Sequence, residues 1–568
     1  MKDINVVIAG AAGQGILRVT TIFGLVLLRS GYYLYANQDA ESRIRGGHNF
    51  SSIRFSDRPL KAGVKRIDFL LSLNEDSLSR HLSDLTKDGS VLCVEEVAGN
   101  LQDDRLQTIP AELGPEGSRP AKFYGIKLLA LLTRHLGFSQ DLLAQVVREK
   151  FAAKGEKLVD LNLQIIAAVF DSPWPKEKQV VGQSTNTSES RLLISGHEAV
   201  ALGMIAAGIG VYSSYPISPA TTILNVLAEC GPELGIAVEI AEDEIGAANL
   251  AIGASYAGVR AAVGTSGAGI SLMCEAIGLA GITETPLVLV DGQRSGPATG
   301  MATRTEQGDL LFAVHASQGE FPRAILAPTG PEDAFYLAAE AFNIAERWQI
   351  PVFILTDHTL ADAQSIVAEF DLSSLSIDRG EMAPETDEVQ ELARYRVTES
   401  GISPRAFPVV SKWLVFQDSH EHNERGFVTD NPANRLSQME KRMRKLTGLA
   451  DTFPAPEVIH SEASTLILCW GSTVGPVLEA VELLRQRGYD LGVAIFRYCY
   501  PMNRKLVRTA LQNAERLISV EMNFSGQLGK LLLLETGLAS IGHIGKNDGR
   551  LFTVEDVVSR VTAFLEDL

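Results

Sequence analysis

Several short runs of this 568-residue chain combine reactive residue types with turns that can hold them still. The first is Glu242-Asp243-Glu244, three acids that follow the apolar stretch 237–241. One acid is enough to favour the N-terminus of the next helix, so three in a row leave one free to move a proton or bind a ligand atom. In the second, Tyr215-Pro216-Ile217-Ser218-Pro219, two prolines each fix their own φ and restrain the residue before them. The rigid loop that results can present the Ser218 hydroxyl to a ligand; alternatively Ser218 caps the helix that follows. The third is the long polar stretch 293–304, which carries Arg294 and Thr303. A guanidinium there can hold a carboxylate through two parallel hydrogen bonds, or it can lie exposed to water.

Three glycine-containing turns accompany them. Thr265-Ser266-Gly267-Ala268-Gly269 ends an apolar stretch, and Gly10-Ala-Ala-Gly13-Gln-Gly15 follows a short strand near the N-terminus. The latter has neither the Lys-Ser/Thr of a Walker loop nor the spacing of the dinucleotide fingerprint. Glycines at a strand–helix turn still expose backbone N–H groups to a phosphate, or they serve tight packing alone. In Glu41-Ser-Arg43-Ile-Arg45-Gly46-Gly47-His48-Asn49, two arginines beside two glycines can make a forked anion site or a solvated surface turn.

The elements that must position these groups alternate. Strand patterns at 5–8, 50–55, 69–73 and 90–94 mix with helix patterns from Gly15 through Leu28 and at 127–136 and 161–170. A Pro-, Ser-, Thr- and Gln-rich stretch, 171–189, reads as a linker. Strands at 210–213, 237–241, 260–265, 287–291, 325–327 and 351–356 then alternate with helices at 197–207, 219–229, 244–256, 270–280 and 332–347. That order predicts a mostly parallel sheet with helices on both faces, whose ligands bind at the carboxyl ends of the strands. The helix after Glu244 is rich in Gly and Ala, so another backbone or a flat ring can approach it closely. Residues 360–455 are charged and irregular, with a basic helix at 439–449, and read as a connector over a surface. A further α/β unit starts at Ser464.

Composition narrows the function. With 51 Lys+Arg against 69 Asp+Glu the chain carries a net charge of −18, which argues against non-specific nucleic-acid binding and against an anionic membrane as partner. No apolar run reaches the ~18 residues of a membrane span. The five cysteines are dispersed without a C-x-x-C pair, so neither a disulfide framework nor a metal cluster held by this chain alone is expected; buried structural thiols are. His420 and His422, beside Asp418 and Glu421, read as a solvated loop rather than a ligand pair. A cytoplasmic protein is the expectation.

Together these runs resemble the 2-oxoacid:ferredoxin (acceptor) oxidoreductases, in the form where gamma and alpha subunits are fused. The likeness covers nearly the whole length. Gly10 to Gly15 and 42–49 resemble the gamma part. The alpha pyrimidine-binding domain is matched by 215–219, 241–246, 265–269 and 294–303, its connector by 396–404, and a transketolase-like C-terminal domain by Asn523-Phe-Ser-Gly-Gln527 with Asp548-Gly549-Arg550. The resemblance implies a multidomain α/β protein with a Rossmann-like gamma domain over 1–175, a linker over 176–191, a pyrimidine-binding domain over 192–370, a connector over 371–460 and a transketolase C-terminal-like domain over 461–568.

It also implies a chemistry: thiamine-diphosphate-dependent oxidative decarboxylation of a 2-oxoacid, giving CO2, an acyl-CoA and reduced ferredoxin, and reversible as a CO2-fixing synthase of a reductive tricarboxylic acid cycle. The substrate expected is 2-oxoglutarate, giving succinyl-CoA, with pyruvate, branched-chain oxoacids or indolepyruvate as alternatives. A non-catalytic nucleotide- or CoA-binding protein is the second alternative. In the family the cofactor lies between subunits. A separate beta subunit carries the diphosphate, Mg2+ and a [4Fe-4S] cluster, and the complex is a dimer of alpha–beta heterodimers, so this chain alone is expected to be inactive and to hold no metal.

Residue by residue, the resemblance makes Glu244 the partner of the aminopyrimidine N1′, favouring the imino tautomer whose N4′ removes the thiazolium C2 proton. Tyr215, Pro216, Ile217 and Gly267 line the cofactor. Arg294 pairs with the oxoacid carboxylate, Ser218 and Thr303 hydrogen-bond the substrate, and Arg43, Arg45 and His48 contact CoA. The family commonly has Thr where Ser218 stands and Pro where Ala268 stands.

Overall fold

In the computed structural model, residues 3–41, 46–173, 190–408 and 410–568 are described. They form two compact units: 1–194 with 363–369 and 553–555, and 195–362 with 370–552 and 556–568.

In the first unit, an uninterrupted apolar run makes the central strand, Ile4–Ala12, buried on both faces over most of its length. It pairs in parallel with Ile67–Ser72, and the sheet continues in parallel through Leu85–Val94 to Leu106–Ile109. On its other side it pairs antiparallel with Gly46–Ser56, which pairs antiparallel with Tyr33–Ala40. The sheet has eight strands and is mixed rather than parallel. Tyr33–Ala40 was not foreseen: its pattern of half-buried polar residues carries no strong alternation. The helix Ile16–Arg29 begins directly at Gly15, and Tyr124–Leu136 packs against the same core. A helix at Gln140–Phe151 adds to the three helices expected. The linker reading at 176–191 falls mostly outside the described residues.

The second unit contains a seven-stranded sheet in the order Tyr498–Tyr500, Ala324–Leu326, Pro351–Asp357, Leu287–Gln293, Ala261–Thr265, Val211–Ser214, Ala237–Ile240. All its pairings are parallel except that of the Tyr498–Tyr500 edge. The three central strands are wholly buried, as helices on both faces require. Two helices of small residues, Glu244–Tyr256 and Gly267–Ile282, pack on each other beside it. A five-stranded sheet is built from Glu457–Ile459, Leu491–Ile495, Thr465–Cys469, Arg516–Glu521 and Gly542–Gly545. Because Tyr498–Tyr500 leaves this region to extend the larger sheet, both sheets share one core cluster.

The connector is better ordered than its composition predicts. The helix Pro432–Thr452 spans 21 residues, and its Lys441, Arg442 and Lys445 are buried, not solvated. Lys441 Nζ lies 2.6 Å from Glu284 Oε1, Lys445 pairs with the other oxygen of the same carboxylate, and Arg442 pairs with Glu421 at 2.7 Å. His422 is likewise buried, its ring centroid 3.9 Å from that of Tyr395, whereas His420 is exposed. Cys93, Cys469 and Cys499 are buried, but Cys230 and Cys274 are half-exposed, which corrects the expectation of five buried thiols. No helix among the described residues is long and apolar enough to cross a membrane.

Candidate active site

The carboxyl edge of the seven-stranded sheet gathers the residues singled out in the second unit. The three acids divide their work there. Asp243 is the N-cap, its Oδ1 accepting from Gly246 N at 2.7 Å, and Glu242 points to solvent. Glu244 is thereby left without a capping duty, buried at the first position of the helix, where N–H groups and the helix dipole favour a carboxylate.

Its neighbourhood is shaped by the Thr265–Gly269 turn. A methyl group at Gly269 would collide with Thr265 Oγ1 and lie 2.9 Å from Glu244 Cγ. A methyl at Gly267 would likewise strike the Asp309 carboxylate. These glycines form a cradle in which Thr265, Glu244 and Asp309 pack directly against the backbone. Thr265 Oγ1, Ser266 Oγ and both carboxyl oxygens of Asp291 are buried there without hydrogen-bond partners. Thr265 and Asp291 are direct neighbours across parallel strands, so their side chains share one face. Burial, and then the neighbouring Asp309 charge, push the Asp291 pKa up from the usual carboxylate value. Asp309 is raised to about 6, by burial first and then by Glu306.

On the opposite face, Ser218 and Arg294 meet: Arg294 Nη1 donates to the Ser218 carbonyl at 3.1 Å. Burial lowers the Arg294 pKa, and its Nε has no partner. The side chain is half-buried, with donors left for an anion. Ser218 does not cap the next helix, which starts at Thr221 behind Ala220 with no side-chain cap. The Ser218–Pro219 peptide bond is cis. Tyr215 and Pro216 are exposed and Ile217 half-buried, an apolar rim beside that loop.

Thr303 is half-buried on a loop that closes on itself, with Met301 N donating to Ser295 O at 2.9 Å. The Asp548-Gly549-Arg550 turn fastens this loop, since Thr305 N donates to Gly549 O at 3.2 Å. Asn523 fastens the next stretch, with Nδ2 donating to Gln307 O at 3.0 Å. Glu521 organises that turn from below, accepting from Trp470 Nε1, Asn523 Nδ2 and Leu528 N.

In the first unit, Gly13 and Gly15 are left-handed, with open space before them. Gln14 fixes the turn: its Oε1 accepts from Ala11 N at 2.7 Å and its Nε2 donates to Leu73 O at 3.2 Å. Arg43 and Arg45 lie outside the described residues. His48 is buried with its ring engaged, Nε2 being 2.9 Å from His81 Nε2 and Nδ1 3.3 Å from Ser77 Oγ. Burial, then its His48 neighbour, lowers His81 to about 4.

Sequence reasoning missed Asp291, Asp309 and His197. The signal for Asp291 was available: an acid ends the apolar strand run Leu287–Gln293 at the edge where ligands bind. The signal for His197 was masked, because Ser195-Gly-His-Glu198 reads as a capping box, which it is.

A parallel sheet with a buried glutamate and a glycine turn at its carboxyl edge is the arrangement in which α/β proteins hold a ligand. Family models agree along the chain: "Pyruvate ferredoxin/flavodoxin oxidoreductase" matches residues 5–172, "Pyruvate flavodoxin/ferredoxin oxidoreductase, thiamine diP-bdg" matches 202–442, and "Pyruvate:ferredoxin oxidoreductase core domain II" matches 463–557. The 2-oxoacid:ferredoxin oxidoreductase subunit alpha of Saccharolobus solfataricus is 30% identical over 99% of this chain and 98% of its own length. The 2-oxoglutarate oxidoreductase subunit KorA of Mycobacterium tuberculosis is 29% identical over 100% and 92%. The solved 2-oxoglutarate:ferredoxin oxidoreductase from Magnetococcus marinus, with 2-oxoglutarate, coenzyme A and succinyl-CoA bound, superposes with a TM-score of 0.91 at 28% identity, over 99% of both chains. The chain belongs to the alpha subunits of the 2-oxoacid:ferredoxin oxidoreductases.

The residues present fit the aminopyrimidine half of thiamine diphosphate. A buried carboxylate, orphaned hydroxyls and a cradle that a Cβ would fill suit a flat polar ring.

Proposed function

We propose that this chain, with a separate beta subunit, oxidatively decarboxylates 2-oxoglutarate to succinyl-CoA and CO2 and passes the electrons to ferredoxin. The observation that carries the reading is the buried Glu244 beside the Gly267–Gly269 cradle, with Arg294 and Ser218 joined at the same sheet edge. The choice of 2-oxoglutarate is supported by the names of the KorA relative and of the Magnetococcus marinus enzyme. Thiamine diphosphate, when bound, supplies the nucleophilic carbon and the electron sink.

The chain's own residues then do four things. Glu244 holds the proton at the N1′ position of the pyrimidine, from a buried site where the bond is not competed for by water. Gly267 and Gly269 let the ring approach the helix backbone, with Tyr215, Pro216 and Ile217 covering its edge. Arg294 pairs with a substrate carboxylate, its guanidinium already aimed by the Ser218 carbonyl. Ser218 and Thr303 orient the oxo group by hydrogen bonds. We read the first unit, with its open turn at Gly13 and Gly15, as the CoA-facing part, to which Arg43, Arg45 and His48 would contribute. The diphosphate, Mg2+ and the [4Fe-4S] cluster are assigned to the beta subunit, in a dimer of alpha–beta heterodimers. Domain boundaries near 175, 191, 370 and 460 belong to the same reading.

The test is CoA-dependent reduction of an artificial acceptor by the chain purified with its partner, across 2-oxoglutarate, pyruvate, branched-chain oxoacids and indolepyruvate. The highest kcat/KM is expected for 2-oxoglutarate. A higher value for another oxoacid reassigns the substrate, and thiamine-independent binding of a nucleotide with no turnover of any oxoacid overturns the enzyme reading.

A further inference from the structure

His197 lies in the helix Gly196–Ala206, wholly buried, and no side chain of the chemistry described above is its neighbour in sequence. In space it reaches the substrate loop. Its Nδ1 is 3.1 Å from the Pro219 carbonyl oxygen, and its Nε2 is 2.7 Å from Thr356 Oγ1. A carbonyl only accepts, so Nδ1 carries the proton. Nε2 therefore accepts, and the single Thr356 hydroxyl proton goes to it at 2.7 Å and not to the Asp291 carbonyl, which lies farther off at 3.3 Å. Thr356 is itself fixed, because its carbonyl accepts from Gln293 Nε2 at 2.9 Å. Packing reinforces the bond: a methyl at Gly292 would lie 2.8 Å from Pro219 Cγ and 3.3 Å from His197 Cε1, so the ring, the proline and the strand meet without slack.

The carbonyl next in line, that of Ser218, accepts from Arg294 Nη1 at 3.1 Å. One polar chain thus runs from Thr356 through His197 to the Pro219 carbonyl, and one peptide further to the guanidinium. Strand, helix, loop and arginine are all tied by it. Burial holds the imidazole neutral, its pKa lowered to about 4, so the tautomer persists across the neutral range.

We propose that His197 is a positioning residue for 2-oxoacid recognition: its Nδ1–H fixes the Ser218–Pro219 backbone, and through the Ser218 carbonyl that backbone aims Arg294 at the substrate carboxylate. The inference rests on the reading of Arg294 as the carboxylate partner. His197 is wholly buried, and its ring nitrogens are engaged by the Pro219 carbonyl and the Thr356 hydroxyl. Its loss is therefore felt in substrate binding and not in activation of the coenzyme, which belongs to Glu244 on the other face of the sheet.

Four variants of the chain, each assembled with its partner subunit, separate the possibilities by steady-state kinetics and by proton–deuteron exchange at thiazolium C2 without substrate. His197→Ala should raise KM for the oxoacid about tenfold, more than it lowers kcat, and leave the C2 exchange rate near that of the parent. His197→Asn places an amide N–H where Nδ1 stands and gives up the Thr356 bond, so most of the KM should return. Thr356→Val should raise KM by about threefold, and it carries the test if His197→Ala does not fold. Arg294→Ala is the control for the underlying reading and should raise KM by about thirtyfold or more. A parental KM in both His197→Ala and Thr356→Val, with a raised KM in Arg294→Ala, overturns the role of His197 alone. A parental KM in Arg294→Ala overturns the reading beneath it. Loss of C2 exchange in His197→Ala and His197→Asn together makes His197 a general structural residue and also overturns the proposal.

Discussion

Glu244 is set apart from its two acidic neighbours by what Asp243 does. Asp243 bonds Gly246 N and Glu242 faces water, so Glu244 turns inward with no cap to serve. A buried carboxylate that must hold a proton at one ring atom is sensitive to loss of its basicity while its shape is kept. Glu244→Gln in the assembled complex should therefore reduce C2 exchange by about a hundredfold or more, with the fold intact. Exchange at the parental rate would remove Glu244 from this role. Next to it, Asp291 and Asp309 form a pair whose burial raises both carboxyl groups, the second to about 6. Thr265 and Asp291, adjacent across their strands, supply the orphaned polar atoms that a heterocyclic ligand would satisfy.

At the scale of elements, the helices Glu244–Tyr256 and Gly267–Ile282 approach so closely because their contact is made of Gly and Ala. Gly269 has no room for a methyl between Thr265 Oγ1 and Glu244 Cγ. Gly269→Ala is expected to cost ~1–3 kcal/mol, read as a lowered Tm, and to weaken thiamine diphosphate binding by shifting Glu244. A parental Tm and affinity would mean that the turn yields freely. The connector helix Pro432–Thr452 brings two lysines into the interior. One carboxylate, Glu284, faces the two ammonium groups of Lys441 and Lys445 and the backbone-bound Arg394. Burial works to raise the Glu284 pKa, but the Lys441, Lys445 and Arg394 charges together outweigh it and hold the group below its usual range, whereas burial is the largest reason that Lys445 falls to about 7. An unfolded lysine keeps its proton to about 10.4. Between those values the unfolded chain binds a proton that the folded chain does not, so this group makes stability rise as pH increases from about 7 toward 10. Comparing Tm at pH 7 and pH 9, Lys445→Met should lose that increment, and an increment equal to the parent's would contradict the assignment.

At the scale of the whole molecule, the proposed reading puts a proton-holding acid, a ring cradle and a carboxylate clamp in the second unit. No group of three or more potential metal ligands lies together among its described residues. Under the proposed division of labour, the chain purified by itself should not turn over any 2-oxoacid, and activity should appear when a cysteine-containing partner is added. Turnover by the single chain with thiamine diphosphate and Mg2+ would overturn the split site. How much of this was legible beforehand follows from the range of the interactions. The glycine turns, the paired prolines, the Glu244 run and the alternation of strands and helices are local patterns, fixed by φ restrictions and by side-chain periodicity, so the α/β class and most of the site could be read from the order of residues. The pairing of Tyr33–Ala40 with Gln364–Ala368, the edge strand Tyr498–Tyr500 and the buried lysines of the connector could not. Each depends on a partner far along the chain, whether a strand more than a hundred residues away or Glu284 facing Lys441. The same holds for His197: the residue and its capping box are written in the sequence, but its bond to Pro219 exists only because the sheet brings helix and loop together, and a hydrogen bond is specified by where its two ends meet.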